Sequence, residues 1–179
     1  MDPFILTAQS LGIVAMILTV LSMQCRSNKN LFLFQEISGV FFAVSFFMLG
    51  AWSGALMNLY GTIRPELLRR EKIAQSKWVL ILLFGMLFLI SLTVLLLLKE
   101  KWYLVLLVTI AQGFGTFFMW KQNGKNIRLV QLYAVSPLWI TYNCLIPVPS
   151  VGGILTELIN IASVLLSLFR YRKVGFTRK

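Results

Sequence analysis

The stretch Ser27–Gln35, SNKNLFLFQ, returns 96 residues later as NGKNIRLVQ at Asn123–Gln131. In both copies a Lys-Asn pair precedes an apolar run that carries a Gln, and a Met lies four residues upstream, at Met23 and Met119. A phrase that recurs at such a spacing indicates that the chain holds two related units. The two phrases then mark equivalent helix starts, one in each unit.

The composition is that of a protein in lipid. Hydrophobic residues make up 58% of the 179 residues and the mean hydropathy is +0.81, whereas roughly 45–50% apolar residues is usual for soluble domains. Charged residues, 13% of the total, fall between apolar runs of the ~20 residues that a bilayer requires. Because backbone groups in hydrocarbon must pair within the protein, we expect these runs to be helices.

Seven such runs predict an all-α integral membrane fold. The predicted helices are Phe4–Cys25, Leu31–Gly50, Gly54–Arg70, Trp78–Leu98, Trp102–Lys121, Ile127–Ile146 and Val151–Arg170. The first run follows Asp2 and is too long for the core of a signal peptide, so it is expected to stay uncleaved. Cys25 and Cys144 fall near opposite membrane faces, too far apart for a disulfide, and both are expected to be free thiols.

The basic residues predict an orientation. Lys and Arg number 17 against 6 acidic residues, a net charge of +11, and membrane proteins concentrate Lys and Arg on the cytoplasmic side. With the N-terminus outside and the C-terminus in the cytoplasm, fifteen of the 17 lie in cytoplasmic segments and only Lys99 and Lys101 lie outside. The excess charge therefore indicates topology and not nucleic-acid binding. The basic C-terminal segment RYRKVGFTRK allows a further contact with anionic lipid headgroups.

The offset between the two phrases extends over three helices. An offset of 96 pairs the second predicted helix with the sixth, and a three-residue insertion near IPVP makes it 99, which pairs Gly54 with Gly153 and Asn58 with Glu157. Helices 1–3 thus match helices 5–7. The predicted units are residues 1–76 and 102–179.

The fourth predicted helix, in residues 77–101, is expected to be a linker. A unit of three spans is odd, so two units joined directly would be inverted, and one extra helix restores the same orientation. Within its apolar run only Ser91 and Thr93 carry polar side chains, so it should face lipid and contribute nothing to a site. Two parallel repeats are typical of transporters whose ligand site lies near the membrane midplane.

Three stretches carry a family resemblance: LGIVAMILTVLSMQCRSNKNLFLFQEISGVFFAVSFFMLGAWSGALMNLYGTIR, SPLWITYN and GGILTELINIASVLLSLFR. They resemble the bacterial inner membrane protein family named YgjV, and the resemblance covers nearly the whole chain. That family is grouped with the SWEET sugar carriers and PQ-loop proteins, whose helices are arranged three plus one plus three. The resemblance implies a multi-pass protein of the bacterial inner membrane.

Similarity to SWEET carriers also implies a central pocket with an Asn on helix 3, its counterpart on helix 7, and aromatic residues on helices 2 and 6. Helix 3 supplies Asn58, and helix 7 has Glu157 in the matching position with Asn160 one turn on. Helix 6 supplies Trp139, but helix 2 has Ala43 there. The Pro typical of PQ-loop helices is present in helix 6 as Pro137, whereas helix 2 has Phe41. These departures change what the pocket can hold.

Glu157 is the most informative polar residue, because an ionised carboxylate is costly about two turns into a membrane helix. It is a candidate substrate or proton site, or alternatively a carboxylate that is hydrogen-bonded for packing. A polar stripe continues from it along one side of the helix, which predicts that this side faces the bundle interior. The stripe comprises Glu157, Asn160, Ser163, Ser167 and Tyr171.

Helix 3 carries a matching stripe, Asn58, Gly61, Thr62, Pro65 and Arg69. On helix 6, Ser136, Trp139 and Asn143 share one side. Pro137 frees a backbone carbonyl one turn back, because it has no N–H to donate. Pro137 and Pro65 are therefore candidate helix bends, and Trp139 is a candidate for either binding or packing.

Other polar residues have two interpretations each. Gln35 and Gln131 recur in both units and are candidates for a site or for hydrogen bonds between helices. Glu36, near a helix end, is a secondary candidate whose simpler interpretation is an interfacial ion pair with Arg26, Lys29 or Arg128. Arg64 either ends the apolar part of helix 3 or counters a buried acid.

These observations favour a facilitator or proton-coupled carrier for a small polar solute, with a pocket formed by Asn58, Trp139, Asn143, Glu157 and Asn160. The alternative is a non-transporting membrane protein that binds a lipid or protein partner, for which we expect a tightly packed seam in place of a cavity. The chain has no His, no Cys pair at metal spacing and no Gly-rich phosphate loop. We therefore expect no enzymatic activity, cofactor or metal. Gly113 and Gly115 allow close contact within or between subunits, which leaves an oligomer open.

Overall fold

The computed structural model describes residues 3–69, 76–146 and 151–170, and these form seven helices. Six are continuous: α1 Pro3–Gln24, α2 Asn28–Met48, α3 Trp52–Arg69, α4 Lys77–Leu96, α5 Trp102–Trp120 and α7 Val151–Arg170. The remaining helix, α6, joins three stretches: α-helical Gly124–Val130, π-helical Gln131–Val135 and α-helical Ser136–Leu145. The all-helical prediction is confirmed, and each described limit lies within three residues of the predicted one.

Some sequence predictions fall on parts of the chain outside the described residues. These are the helix limit at Arg70, the cytoplasmic basic residues Lys72, Arg172, Lys173, Arg178 and Lys179, and the stripe residue Tyr171.

Five helices are long and apolar enough to cross a membrane: Pro3–Gln24, Asn28–Met48, Lys77–Leu96, Trp102–Trp120 and Gly153–Arg170. Length and composition thus support five of the seven predicted spans. The third helix is less apolar because it carries Arg64 and Glu66 near its C-terminal end. The sixth is divided by its π-helical stretch into pieces of at most 10 residues.

Six helices pack as a ring. In the order α1, α2, α3, α5, α6 and α7, each helix contacts the next, and α7 contacts α1. Helix α4 packs outside this ring against α3 and α5. The hydroxyls of Ser91 on α4 and Thr109 on α5 share a 2.7 Å hydrogen bond. Its buried contacts are Leu83, Leu87 and Val94. The linker-like helix therefore touches the ring along one side only.

The outer surface of the bundle is apolar. Large hydrophobic side chains are exposed on every helix, among them Ile13 on α1, Phe47 on α2, Phe88 on α4 and Leu166 on α7. An apolar surface of this extent is incompatible with water and is typical of contact with lipid. The interior, by contrast, contains many buried polar side chains. Polar groups are thus directed inward, as a protein in hydrocarbon requires.

The π-helical stretch of α6 has a local cause. Pro137 has no N–H and its ring would clash with the carbonyl four residues earlier in a regular α-helix. The chain widens by one residue before the proline, and the Ser136 N–H donates to the carbonyl of Gln131, five residues back. A single wide turn of this kind relieves the clash without breaking the helix. The sequence predicted the freed carbonyl but not the π-helical stretch Gln131–Val135.

Helices α2 and α3 approach each other closely at Gly39. A Cβ atom at this position would lie 2.6 Å from Thr62 Oγ1 and 3.3 Å from the carbonyl oxygen of Asn58. No side chain larger than hydrogen fits without moving the Thr62 side chain and easing the α3 backbone away. The contact brings the polar side of α3, with Asn58, against the interior of the ring.

A buried arginine joins three helices at one end of the ring. Arg128, fully buried at the start of α6, donates from Nε to Ser167 Oγ of α7 at 3.1 Å and to the Met23 carbonyl at the end of α1 at 3.2 Å. Its Nη2 also donates to the carbonyls of Met23 and Cys25. The Met23 carbonyl belongs to the last turn of α1 and the Cys25 carbonyl follows that turn directly; at a helix C-terminus backbone acceptors have no partner within the helix and a cation is favoured.

Further polar contacts tie the same end together. Asn28 Nδ2 of α2 donates to the carbonyl of Gln122 at 2.7 Å, and Gln122 Nε2 donates to the carbonyl of Leu68 in α3, also at 2.7 Å. Gln24 Nε2 of α1 donates to Ser163 Oγ of α7 at 2.7 Å. We refer to the end of the ring that holds Arg128, Asn28, Gln122 and Gln24 as the basic end. Five ring helices, α1, α2, α3, α6 and α7, and the α5–α6 connection take part in these contacts.

The two cysteines are free. Cys25, between α1 and α2, is half-buried, and burial raises the pKa of its thiol more than the nearby Arg128 charge lowers it. Its thiol is therefore less reactive than an exposed cysteine at neutral pH.

Replacing Arg128 tests the role of the basic end. Arg128→Met removes the donors and leaves several buried carbonyls unsatisfied, so we expect the free energy of unfolding to fall by about 2–4 kcal/mol and the melting temperature by roughly 6–12 °C. Circular dichroism of the detergent-solubilised protein measures the change. Lys125→Met, three residues earlier and exposed, is the control and should melt like the wild type. Equal melting of both variants would contradict the assigned role.

Candidate functional site

A partly open cavity of about 120 Å³ lies inside the ring. Side chains of six helices, α1, α2, α3, α5, α6 and α7, line it, and none comes from α4. Its polar lining consists of Thr19, Gln35, Ser38, Asn58, Arg64, Gln112, Gln131, Asn143, Thr156, Glu157 and Asn160, and its aromatic lining of Phe42, Phe46 and Trp139. The five residues that the sequence grouped as one pocket thus line one cavity.

Glu157 lies at the centre of a hydrogen-bonded chain. Gln131 Nε2 donates to Ser136 Oγ at 3.0 Å, and Glu157 is hydrogen-bonded to Ser136 and to Asn160. Its second oxygen, Oε2, is buried and has no partner among the described residues. The wide turn of α6 contributes to this arrangement, because Gln131 and Ser136 lie at its two ends.

The stripe on α7 divides into two parts. Glu157 and Asn160 line the cavity, and Asn160 is buried. Ser163 and Ser167 are also buried but contact α1 and Arg128 near the basic end. The stripe therefore faces the bundle interior as predicted, with one half at the cavity and the other in helix packing.

The second α-helical part of α6 supplies an aromatic and an amide. Trp139 is buried and packs edge-to-face on Tyr142, with ring centroids 5.4 Å apart. Tyr142 in turn shares a 2.6 Å hydrogen bond with Ser53 of α3. Asn143 lies against Gly153 of α7, where a Cβ would come within 2.6 Å of its Oδ1. Glycine at this position allows the amide to enter the space between α6 and α7.

Helix α3 contributes Asn58 to the cavity. Its Nδ2 donates to the carbonyl of Gly54 in the preceding turn at 2.7 Å. Asn58 and Glu157, the pair matched by the predicted repeat, line the same cavity from different helices. Gly61, one turn further, also lines it, whereas Thr62 packs against α2.

The secondary candidates differ in position. Gln35 and Gln131 line the cavity, and Ser136 reaches it through Glu157. Glu36 is half-buried on α2 and is not part of the cavity lining. The prolines also differ: Pro137 is exposed on α6 just after the wide turn, whereas α3 runs through the buried Pro65 without interruption.

Several residues in the lining were not assigned to the pocket from the sequence, among them Arg64 and Gln112. Arg64 is buried, α3 continues past it to Arg69, and among the described residues no carboxylate pairs with its guanidinium. Gln112 of α5 accepts from Arg64 Nη1 at 2.8 Å and donates to the Met57 carbonyl at 3.1 Å. A charged residue within a membrane helix, more than one turn before its end, is the signal that identifies Arg64 as a site candidate.

The cavity has the chemistry of a hydrogen-bonding site for a small solute. Carboxylate and amide oxygens, amide donors, a guanidinium and an indole all reach it. Within residues 3–69, 76–146 and 151–170, no three His, Cys, Asp or Glu side chains are grouped so that they could hold a metal ion.

Comparison with known proteins gives one match. No curated protein and no solved structure matches the chain. The model of a family described as "Imp-YgjV: Bacterial inner membrane protein" matches residues 6–174, which is nearly the entire chain. Together with five apolar helices of spanning length, this match shows that the chain belongs to the YgjV family of bacterial inner membrane proteins.

Proposed function

We propose that this protein carries a small polar solute across the inner membrane, as a facilitator or with coupling to protons. The observation that supports this most directly is the partly open polar cavity enclosed by six helices. A protein that only binds a lipid or protein partner needs no such space, and a tightly packed seam between the helices would have favoured that alternative. Polar groups inside a membrane bundle are costly and typically mark solute pathways.

We further propose that residues 1–76 and 102–179 are parallel three-helix repeats joined by a linker helix in residues 77–101, as the resemblance to SWEET carriers and PQ-loop proteins implies. The order of contacts supports this, because α3 packs on α5 as α7 packs on α1. Contacts at the basic end are also reciprocal. Asn28, at the start of α2, bonds the α5–α6 connection, and Arg128, near the start of α6, bonds the end of α1.

Alternating access is proposed to arise from rocking of the two repeats around the cavity. In this mechanism the basic end opens in one state, which requires the hydrogen bonds of Arg128, Asn28 and Gln24 to separate together. The wide turn before Pro137 divides α6 beside the cavity and supplies a bend. Glu157, within that cavity, is the proposed proton-coupling residue because it is the acidic side chain in the lining.

The accessibility of a cavity serine tests alternating access without knowledge of the solute. In a background with Cys25→Ser and Cys144→Ser, the Ser38→Cys variant should react with a membrane-impermeant, charged methanethiosulfonate applied to right-side-out or to inverted vesicles. The reaction needs water, because the thiolate is the reactive form. Mass spectrometry of the labelled protein measures the extent.

Ser91→Cys is the matched control for this experiment. Ser38 and Ser91 each share a hydrogen bond with a threonine of the neighbouring helix, at 2.8 and 2.7 Å, but only Ser38 lines the cavity. The Ser91→Cys variant should stay unlabelled from both sides. Labelling of Ser38→Cys from neither side, or from one side only, would contradict alternating access.

Uptake into proteoliposomes tests transport and proton coupling. Labelled sugars, nucleosides, amino acids and organic acids are supplied one at a time, with and without an imposed pH gradient. We expect at least one class to accumulate faster than in protein-free liposomes, and the gradient response to be lost in Glu157→Gln because the amide cannot bind and release a proton. Glu36→Gln, the same change outside the cavity lining, should keep the response. Equal gradient responses of wild type and Glu157→Gln would reject coupling at Glu157.

The proposed orientation has the N-terminus outside and the C-terminus in the cytoplasm, because fifteen of 17 basic residues then lie on the cytoplasmic side. A green fluorescent protein fused after Lys179 should fluoresce, and alkaline phosphatase at the same point should be inactive. The same reporters inserted after Lys99 should give the reverse pattern. Active phosphatase after Lys179 would show the opposite topology.

A further inference from the structure

Arg64 brings an uncompensated positive charge to the cavity. It is only 8% exposed and lies within α3. Its three hydrogen bonds are all donated by Nη1, to the Gln112 carbonyl at 3.3 Å, to Gln112 Oε1 at 2.8 Å and to Thr116 Oγ1 at 3.4 Å. All of these acceptors are neutral. The ring of Tyr60, 5.8 Å from the guanidinium carbon, adds a cation–π contact.

One edge of this guanidinium is unused. Among the described residues, Nε is buried without a partner and Nη2 donates to no acceptor. Nε and Nη2 form the edge with which arginine binds a carboxylate through two parallel hydrogen bonds. Burying a donor without a partner is unfavourable, so the free edge of Arg64 indicates an acceptor that is supplied from outside the chain.

The same cavity contains a second cluster, formed by buried acceptor atoms that lack donors in the described part of the chain. Asn143 Oδ1, Glu157 Oε2 and Asn160 Oδ1 are buried acceptor atoms with no partner among the described residues, and all three residues line the cavity. They come from α6 and α7, whereas Arg64 comes from α3. An acceptor cluster that includes a carboxylate is suited to a group with several N–H donors and a positive charge.

Arg64 and Glu157 are not in contact with each other. Gln131 lines the cavity together with Arg64 and is bonded to Ser136, which is bonded to Glu157. Polar side chains therefore separate the two charges, and the cavity of about 120 Å³ adjoins both. This volume is well above the ~10–15 Å³ that one water needs and below the ~300–1,000 Å³ of pockets for drug-sized ligands. The space suits a solute of few non-hydrogen atoms.

Charge balance then selects the class of solute. With Glu157 ionised, a neutral solute leaves both buried charges unpaired, an anion leaves Glu157 unpaired, and a cation leaves Arg64 unpaired, each of which is unfavourable in a low-dielectric interior. We propose, on the basis of the proposed carrier function, that the solute is a small zwitterion with a carboxylate and an ammonium group, such as a small α-amino acid. Its carboxylate binds Arg64, and its ammonium group binds Glu157, Asn143 and Asn160.

Binding to the purified protein in detergent tests this assignment. Glycine, alanine, serine and proline are compared with three analogues of alanine that each lack one or both charges: propionate, alaninamide and propionamide. Isothermal titration calorimetry gives affinities, and the melting temperature gives an independent readout because a ligand of the folded state raises it. We expect at least one of the amino acids to bind, and alanine to bind at least tenfold more tightly than each of its analogues. Propionate or propionamide binding as tightly as alanine, or no binding by any of the four amino acids, would overturn the proposal.

Two variants assign each charge to its residue. In Arg64→Gln, alanine should lose its advantage over alaninamide, and in Glu157→Gln its advantage over propionate. Both readouts are ratios within one variant, so a change in stability does not imitate them. If Arg64→Gln does not fold, Arg64→Lys keeps the charge but not the free edge and should reduce the first ratio. Lys121→Gln, exposed at the end of α5, should leave both ratios unchanged, and unchanged ratios in the Arg64 and Glu157 variants would overturn the assignment.

Binding and uptake separate this proposal from the carrier function. Alanine that binds to the detergent-solubilised protein but does not enter proteoliposomes supports the zwitterion site and contradicts transport. Uptake of a sugar or nucleoside, together with no binding of the four amino acids, contradicts the zwitterion site and supports transport.

Discussion

The burial of Arg128 among backbone carbonyls is the contact on which the closed ring depends. Helix α1 ends where its last carbonyls have no partner in the helix, and in a bilayer no water is available to supply one. A guanidinium from α6 satisfies the carbonyls of Met23 and Cys25 and reaches Ser167 of α7 as well. One side chain thereby joins the first and the last ring helices to α6. Without Arg128, the carbonyls of Met23 and Cys25 would need other donors where α1 meets α7.

The two helices that are least suited to lipid share the lining of the cavity with α7 and the other ring helices. Helices α3 and α6 fall short of the length or apolar character of a simple span, and they carry Arg64, Asn58, Trp139 and Asn143 to the interior cavity. The other ring helices and α4 present apolar side chains to lipid and shield them. A polar cavity inside a membrane bundle requires helices with a polar side, because a helix that is apolar on all sides brings no polar group to the interior.

The helices were predictable from the apolar runs that a bilayer requires, and part of the site was predictable from the acidic Glu157 within one of those runs. The limits of each apolar run and the inward direction of Glu157 and Asn160 followed from the cost of polar groups in hydrocarbon. The burial of Arg128 did not, because an arginine near a helix end is expected at the membrane surface, and only the meeting of three helices gives it acceptors. The free edge of Arg64 was hidden for the same reason, since it depends on which atoms of α5 its Nη1 contacts.

The wide turn in α6 sets the direction in which half of that helix faces. It holds one residue more than a regular turn, and each residue of an α-helix accounts for about 100° of rotation and 1.5 Å of rise. Closing it to α geometry would rotate Trp139 and Asn143 by about that angle, away from the cavity that they now line together with α7. Pro137 opposes this rotation, because its ring would clash with the preceding turn of a regular α-helix. Pro137, on the outer surface, thus fixes the direction in which Trp139 and Asn143 point into the bundle.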